Sequence, residues 1–201
     1  MKRYAILFVM LLAVAAVAAS ADDEQGIPEP SGSYAVSVHG SFALCLNPSE
    51  NFAAGACGAS GVTAYPVSFE EVGTITYASG IGCESVYQVL AALPSSPAYT
   101  APNIVSPNAH TVVKITSYDA ATGVGTASFT GYTGGSCNGA SFDSSGAIET
   151  ATGTLQIVVT EGGKRNEVLV TQNTGVPVSD LASVQLSGTD LKQTPERGPE
   201  S

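Results

Sequence analysis

The residues of this chain whose types and spacing could do chemistry are carboxyls, phenols and an amide set among apolar positions. In the run 83–90, alternate positions put Glu84, Val86, Gln88 and Leu90 on one face of an extended chain. Tyr77 shares a face with Ile75, and Tyr34 shares one with Val36 and Val38. If those faces turn inward, an apolar wall presents phenol, amide and carboxylate groups, which is the composition of a small-molecule site. A carboxyl on such a wall loses hydration, so its pKa rises and it can move a proton. Tyr34, Tyr77, Glu84 and Gln88 are therefore the candidate ligand-binding residues. A plainer reading carries more weight at this level. It leaves Glu84 wet at a strand mouth beside Cys83, with the tyrosines only satisfying their hydroxyls.

Other polar residues offer less. Glu70-Glu71 is a carboxylate pair, but neighbouring strand residues face opposite ways, and a solvated loop end explains both. His39 is in phase with Ser37 and Ser41, so it reads as a surface histidine, and His110 reads as a rim residue after a Pro-rich loop. No spacing supports a Ser-His-Asp set, so no catalytic residue is assigned. No CxxC, no HExxH and no nucleotide-binding glycine motif occurs, so neither a metal nor a cofactor is expected.

Charge narrows the partners. The 201 residues hold 7 Lys and Arg against 17 Asp and Glu, a net of −10. Lys2 and Arg3, the unbroken apolar run 5–19, and Ala19-Ser20-Ala21 have the three-part layout of a cleaved export signal spanning 1–21. The apolar run is shorter than the about 20 residues of a spanning helix, and no second such run follows. Removing Lys2 and Arg3 from the 7 basic residues leaves 5 against 17 acidic ones, a net of −12. That field repels phosphate backbones, so nucleic acid is not expected as a partner. The expectation is a secreted or periplasmic protein of bacterial type, with no membrane attachment after cleavage.

Export makes the cysteines readable. Cys45, Cys57, Cys83 and Cys137 form an even set that an oxidising compartment would pair, and four cysteines allow three pairings. Cys45 and Cys57 share one Gly/Ala/Ser-rich segment, which favours Cys45–Cys57 and leaves Cys83–Cys137 by elimination. A reactive thiol is disfavoured, because nothing basic lies near any of the four in sequence.

The elements that must position these groups are strands. Alternation with period two recurs at 33–44, 72–78, 83–90, 110–118, 124–133, 153–160, 166–172 and 182–191, while helical periodicity does not. Turn signals join several runs, among them Ser79-Gly80-Ile81-Gly82, 119–123 and 161–165. Long Gly-, Ala- or Pro-rich connections span 47–71, with room for a short helix, then 91–109 and 134–152. Residues 22–32 and 193–201 read as a flexible segment and a disordered tail around a barrel domain at 33–192. Eight strands joined mainly by hairpins expose two edges unless the sheet closes. We therefore expect an all-β fold, a single eight-stranded antiparallel up-and-down barrel. It is favoured over a β-sandwich, and over an outer-membrane barrel, for which 7% aromatics and no Trp are too few.

At family level, Gly32-Ser-Tyr-Ala-Val-Ser-Val-His-Gly40 and Val72-Gly-Thr-Ile-Thr-Tyr77 resemble the opening strands of small secreted bacterial lipocalin-like barrels. These are similar in turn to the allene oxide cyclase and dirigent barrels. The runs 123–131, 155–163 and 183–189 continue the pattern. The resemblance implies a calycin-like barrel that binds, or closes a ring in, a small molecule, and it assigns no functional residue here. The leading expectation is binding of a small apolar molecule in the barrel mouth. The alternatives are a cofactor-free cyclase or isomerase of the allene oxide cyclase type, and a structural barrel with a filled interior.

Overall fold

The structure, a computed structural model, describes residues 26–46, 59–92, 104–175 and 181–194. The expected signal at 1–21, Cys57, the prolines Pro94, Pro97 and Pro102, and the tail from 195 lie outside the described residues. The strands are β1 (Gly32–Leu46), β2 (Thr63–Ala78), β3 (Ile81–Ala92), β4 (Ile104–Asp119), β5 (Val124–Thr133), β6 (Ser136–Asn138), β7 (Ser141–Asp143), β8 (Ile148–Thr160), β9 (Arg165–Gly175) and β10 (Leu181–Lys192). Eight of them close an antiparallel barrel in the order β1-β10-β9-β8-β5-β4-β3-β2, and β6 and β7 pair as a separate hairpin. Closure through β1 and β10, from Tyr34↔Lys192 to Leu44↔Leu181, removes both free edges.

All eight expected runs lie inside observed strands, but three strands start earlier than expected. β2 begins at Thr63, β4 at Ile104 and β8 at Ile148, so much of the three expected connections is sheet. Pairing with neighbours overrides weak local alternation there: β1 and β2 stay in register out to Leu46↔Thr63. Pro107 falls where the β3–β4 register shifts between Val86↔Ala109 and Gln88↔Ser106, a bulge that tolerates a missing N–H.

Alternation then sorts the faces. Tyr34, Val36, Val38, Phe42, Ile75, Val113, Leu155, Ile157, Val159 and Leu186 are buried in one core inside the barrel. Ser37, His39, Thr74, Lys114, Thr126 and Gln156 are exposed outside it. An outer-membrane barrel would invert this pattern.

One end of the barrel is a floor. Ser79 and Gly80, at φ 51° and 75°, make a two-residue turn of the left-handed kind that suits hairpin twist. Residues 26–31, read from sequence as part of a flexible segment, run along this floor. The Ile27 N–H donates to Ala120 O at 2.7 Å, and the Tyr118 hydroxyl donates to Ile27 O at 3.1 Å. Ile27 packs against the core and Pro30 is buried.

The β6–β7 hairpin lies on the outside of the barrel wall. Cys137 of β6 is disulfide-bonded to the outward-facing Cys83 of β3. Phe142 of β7 stacks on Tyr132 with ring centroids 4.6 Å apart and lies 5.9 Å from the His110 ring. His110 is thus half-buried against the hairpin and not at a rim, because β4 starts six residues before it. The Ser85 hydroxyl and His110 Nδ1 are 3.1 Å apart. His110 Nδ1 also lies 3.8 Å from Cys137 Sγ, so a basic ring does stand near one of the cysteines. Folding brings together positions 27 residues apart, which sequence neighbours could not show. Cys45 is buried, and its expected pairing falls on Cys57, outside the described residues.

Candidate functional site

Inward faces that pair large apolar residues with glycine and threonine do not fill the barrel. A cavity of about 410 Å³ remains, walled by residues such as Val38, Phe42, Phe69, Leu90, Phe129 and Leu155. That volume is in the range of small-molecule pockets. Glu71, Tyr77, Glu84, Gln88, Thr111 and Asp190 also face the cavity, as do Ser106, Thr133, Thr150 and Asn173.

Each acid reaches the interior through strand register. Glu84 of β3 lies between Ile75 of β2 and Thr111 of β4. It is 5% exposed, so it is not wet at a strand mouth. Burial first, then repulsion from Glu71 and Asp190, pushes its carboxyl well above the usual range, against the hydrogen bond from Thr111. Glu84 is therefore the acid of the set on which burial and neighbouring charge most strongly favour the protonated form.

Glu71 corrects the expectation of a solvated loop end. Because β2 extends upstream to Thr63, Glu71 is mid-strand and 8% exposed, while Glu70 on the opposite face is exposed. Its cross-strand neighbour Gln88 donates from Nε2 to Oε2 at 2.8 Å. Burial raises the Glu71 carboxyl to about 7 despite that bond, with Asp190 adding repulsion.

Asp190 is the third acid, 2% exposed on β10. Asn166 Nδ2 and the Tyr77 hydroxyl both donate to its Oδ2, each at 3.3 Å. Burial lifts it to about 6, and those two donors hold it from rising further. Tyr77 is pushed well above the ordinary phenol value, by burial and then by Asp190, so its proton stays on. Its ring lies across Gly82, where an added Cβ would come within 2.7 Å of Tyr77 Cε1. The absent side chain is what gives the ring its place.

Tyr77, Glu84 and Gln88 thus meet on one stretch of cavity wall, and Tyr34 does not join them. Tyr34 is fully buried beneath the cavity, its hydroxyl donating to Gly163 O at 2.8 Å and its ring edge-on to Tyr77 at 5.7 Å. It belongs to the floor, where it ties β1 to the β8–β9 turn. Sequence reasoning missed Glu71, Asp190, Thr111 and Asn166. Asp190 was within reach, since it alternates with Leu186 and Gly188. Glu71 alternates with Gly73, Ile75 and Tyr77, a signal visible only once the strand is carried upstream of Val72.

The arrangement is a largely apolar chamber with buried acids on its wall. All three acids have carboxyls raised above their ordinary values, Glu71 to about 7 and Asp190 to about 6, and a phenol and an amide are donors. It can orient a small molecule by hydrogen bonds, pair with a cation, or pass a proton. Among the described residues no three His, Cys, Asp or Glu are grouped to hold a metal ion. No helix among them is long and apolar enough to cross a membrane. No family profile, no curated protein and no solved structure matches the chain.

Proposed function

We propose that this chain is an exported barrel that binds one small, mostly apolar molecule inside the barrel, with its polar group directed at the buried acids. The observation that carries the reading is the cavity of about 410 Å³, largely apolar in its lining, with the buried carboxyls Glu71, Glu84 and Asp190 on its wall. A barrel kept only as a scaffold has no need of such a void, since unfilled space forfeits packing contacts. Buried acids without a partner molecule add a further cost.

Export is part of the reading. It is supported by the Lys2-Arg3 start, the apolar run 5–19 and Ala19-Ser20-Ala21, and by the Cys83–Cys137 disulfide. Mass spectrometry of the processed protein should find an N-terminus at Asp22, and a mature form retaining Met1 would defeat this part.

The binding test is native mass spectrometry of protein purified from its own host. A co-purified molecule of constant mass, lost from Glu84→Gln and Tyr77→Phe protein, is expected. No bound molecule, together with no binding of small apolar probes, would end the reading.

A second reading, a cofactor-free cyclase or isomerase like the allene oxide cyclase barrels, is favoured by one observation. Glu84 and Asp190 line the same wall, and burial and neighbouring charge favour the protonated form of Glu84 while Asn166 and Tyr77 donate to Asp190, an environment for an acid and a base in one chamber. If the bound molecule is converted, Glu84→Gln should cut turnover far more than binding.

A further inference from the structure

The charge of the cavity wall is one-sided. Glu71, Glu84 and Asp190 approach it from β2, β3 and β10, and each has only neutral side-chain partners: Gln88, Thr111, and Asn166 with Tyr77. The described cations Lys114, Lys164, Arg165 and Lys192, and both His39 and His110, are absent from the cavity lining. Arg165 is engaged outside with Glu167 at 2.6 Å, and Lys192 lies over the Tyr34 ring beneath the floor. Asn173, on the cavity wall, also has a buried Oδ1 with no hydrogen-bond partner among the described residues. Among the described residues the cavity lining thus carries negative charge and acceptors with no cation to answer them.

We propose that the ligand of this cavity carries a protonated nitrogen on an otherwise apolar skeleton, and that Glu71, Glu84 and Asp190 together supply the acceptors and counter-charge for that ammonium group. The proposal rests on the reading of the cavity as a ligand site and names its chemical class. An ammonium has N–H donors and no acceptor, which complements a wall of carboxyls that still have free lone pairs. The acids are buried, where bulk solvent screens little, so an incoming cation gains charge-assisted hydrogen bonds that are stronger than at the surface. Among the described residues no three His, Cys, Asp or Glu are grouped as metal ligands, which leaves hydrogen bonding to one or two of the acids, with the charge of the rest, as the way to hold a cation here. The apolar walls, Val38, Phe42 and Leu155 among them, would take the skeleton.

Binding should depend on pH through the groups that face the ammonium. These are Glu71 and Tyr77 on β2, Glu84 on β3 and Asp190 on β10, with Tyr34 of β1 below and Glu167 of β9 acting on Asp190 from outside. Asp190 and Glu71 are charged above about 6 and about 7, so an ammonium binds better as pH rises through that window and displaces protons.

The test uses three probes with one chain length: octylamine, 1-octanol and octanoate, titrated calorimetrically into the purified protein at moderate salt. At about pH 8, octylamine should bind one to one and at least about tenfold more tightly than 1-octanol, with octanoate weakest. Near pH 5 the preference for the amine should fall toward one. In Asp190→Asn and Glu71→Gln, each checked for folding by circular dichroism, the preference should drop at least about threefold. Alcohol binding as tightly as amine at pH 8 would overturn the ammonium proposal and leave the cavity reading standing. Failure of all three probes at every pH would remove both. Amine binding at many sites, indifferent to the two substitutions, would show attraction to the acidic surface only and overturn the proposal.

Discussion

The Tyr77 hydroxyl donates to Oδ2 of Asp190 at 3.3 Å, joining residues 113 positions apart. Their strands, β2 and β10, are not neighbours, because β1 runs between them. The bond is made through the interior and exists only because the sheet is closed. It couples the floor of the barrel to the acid that titrates nearest the floor, so changes at either residue should be felt at the other.

Replacing Tyr77 with Phe removes a donor to a buried carboxylate and leaves the ring. We expect a loss of about 1–3 kcal/mol in urea unfolding at pH 8, where Asp190 is charged, and a smaller loss near pH 5. The Asp190 titration, followed by carbon NMR of its carboxyl, should move up from about 6. An unmoved titration would mean that the hydroxyl does not hold the carboxylate.

Stability should fall as pH rises through neutrality. Asp190 is raised from its ordinary 3.8 to about 6, and Glu71 from 4.5 to about 7. The folded protein therefore holds protons that the unfolded chain releases. Each group favours folding most below its ordinary value, and this advantage is lost as pH climbs to the folded value. Asp190 alone accounts for on the order of 3 kcal/mol across that window. Denaturant midpoints should be higher at pH 5 than at pH 8, and Asp190→Asn should flatten the difference. A flat wild-type profile would contradict the burial of uncompensated acids.

Cutting the Cys83–Cys137 bridge should release the β6–β7 hairpin but spare the barrel. The ladders that close the barrel do not include β6 or β7. The bridge closes a separation of 54 residues, for which chain entropy gives at most about 4 kcal/mol. Cys83→Ser with Cys137→Ser should lower the melting temperature while keeping the strand spectrum. Hydrogen exchange should rise first in residues 136–143. Loss of the strand spectrum would show the hairpin to be part of the closure.

Two glycines on the inner wall should behave differently. An added Cβ at Gly82 meets the buried Tyr77 ring at 2.7 Å, whereas at Gly131 the nearest atom is Thr150 Oγ1 at 3.4 Å. Gly82→Ala should cost about 1–3 kcal/mol by displacing Tyr77. Gly131→Ala should stay within about 0.5 kcal/mol of wild type. Equal losses in thermal or urea unfolding would mean that Tyr77 moves aside freely.

The sequence by itself determined the eight strands, their inward faces and several of their turns. Leu155, Ile157 and Val159 alternate with the exposed Thr154, Gln156 and Val158, and a strand has only two faces to offer, so the more apolar face turns in. The same logic put Tyr77, Glu84 and Gln88 on apolar faces before any fold was known. It failed where the alternation was faint. The stretch before Val72 hid the start of β2, and with it Glu71. Only the tertiary structure decided that Glu71, Glu84 and Asp190 share one chamber, that Tyr34 lies beneath it, and that Cys137 meets Cys83 beside His110. Those placements depend on register between strands far apart in the chain and on the edge at which the sheet closes. Local alternation says which face a side chain takes, but its height and neighbours in the barrel are fixed by all eight ladders together.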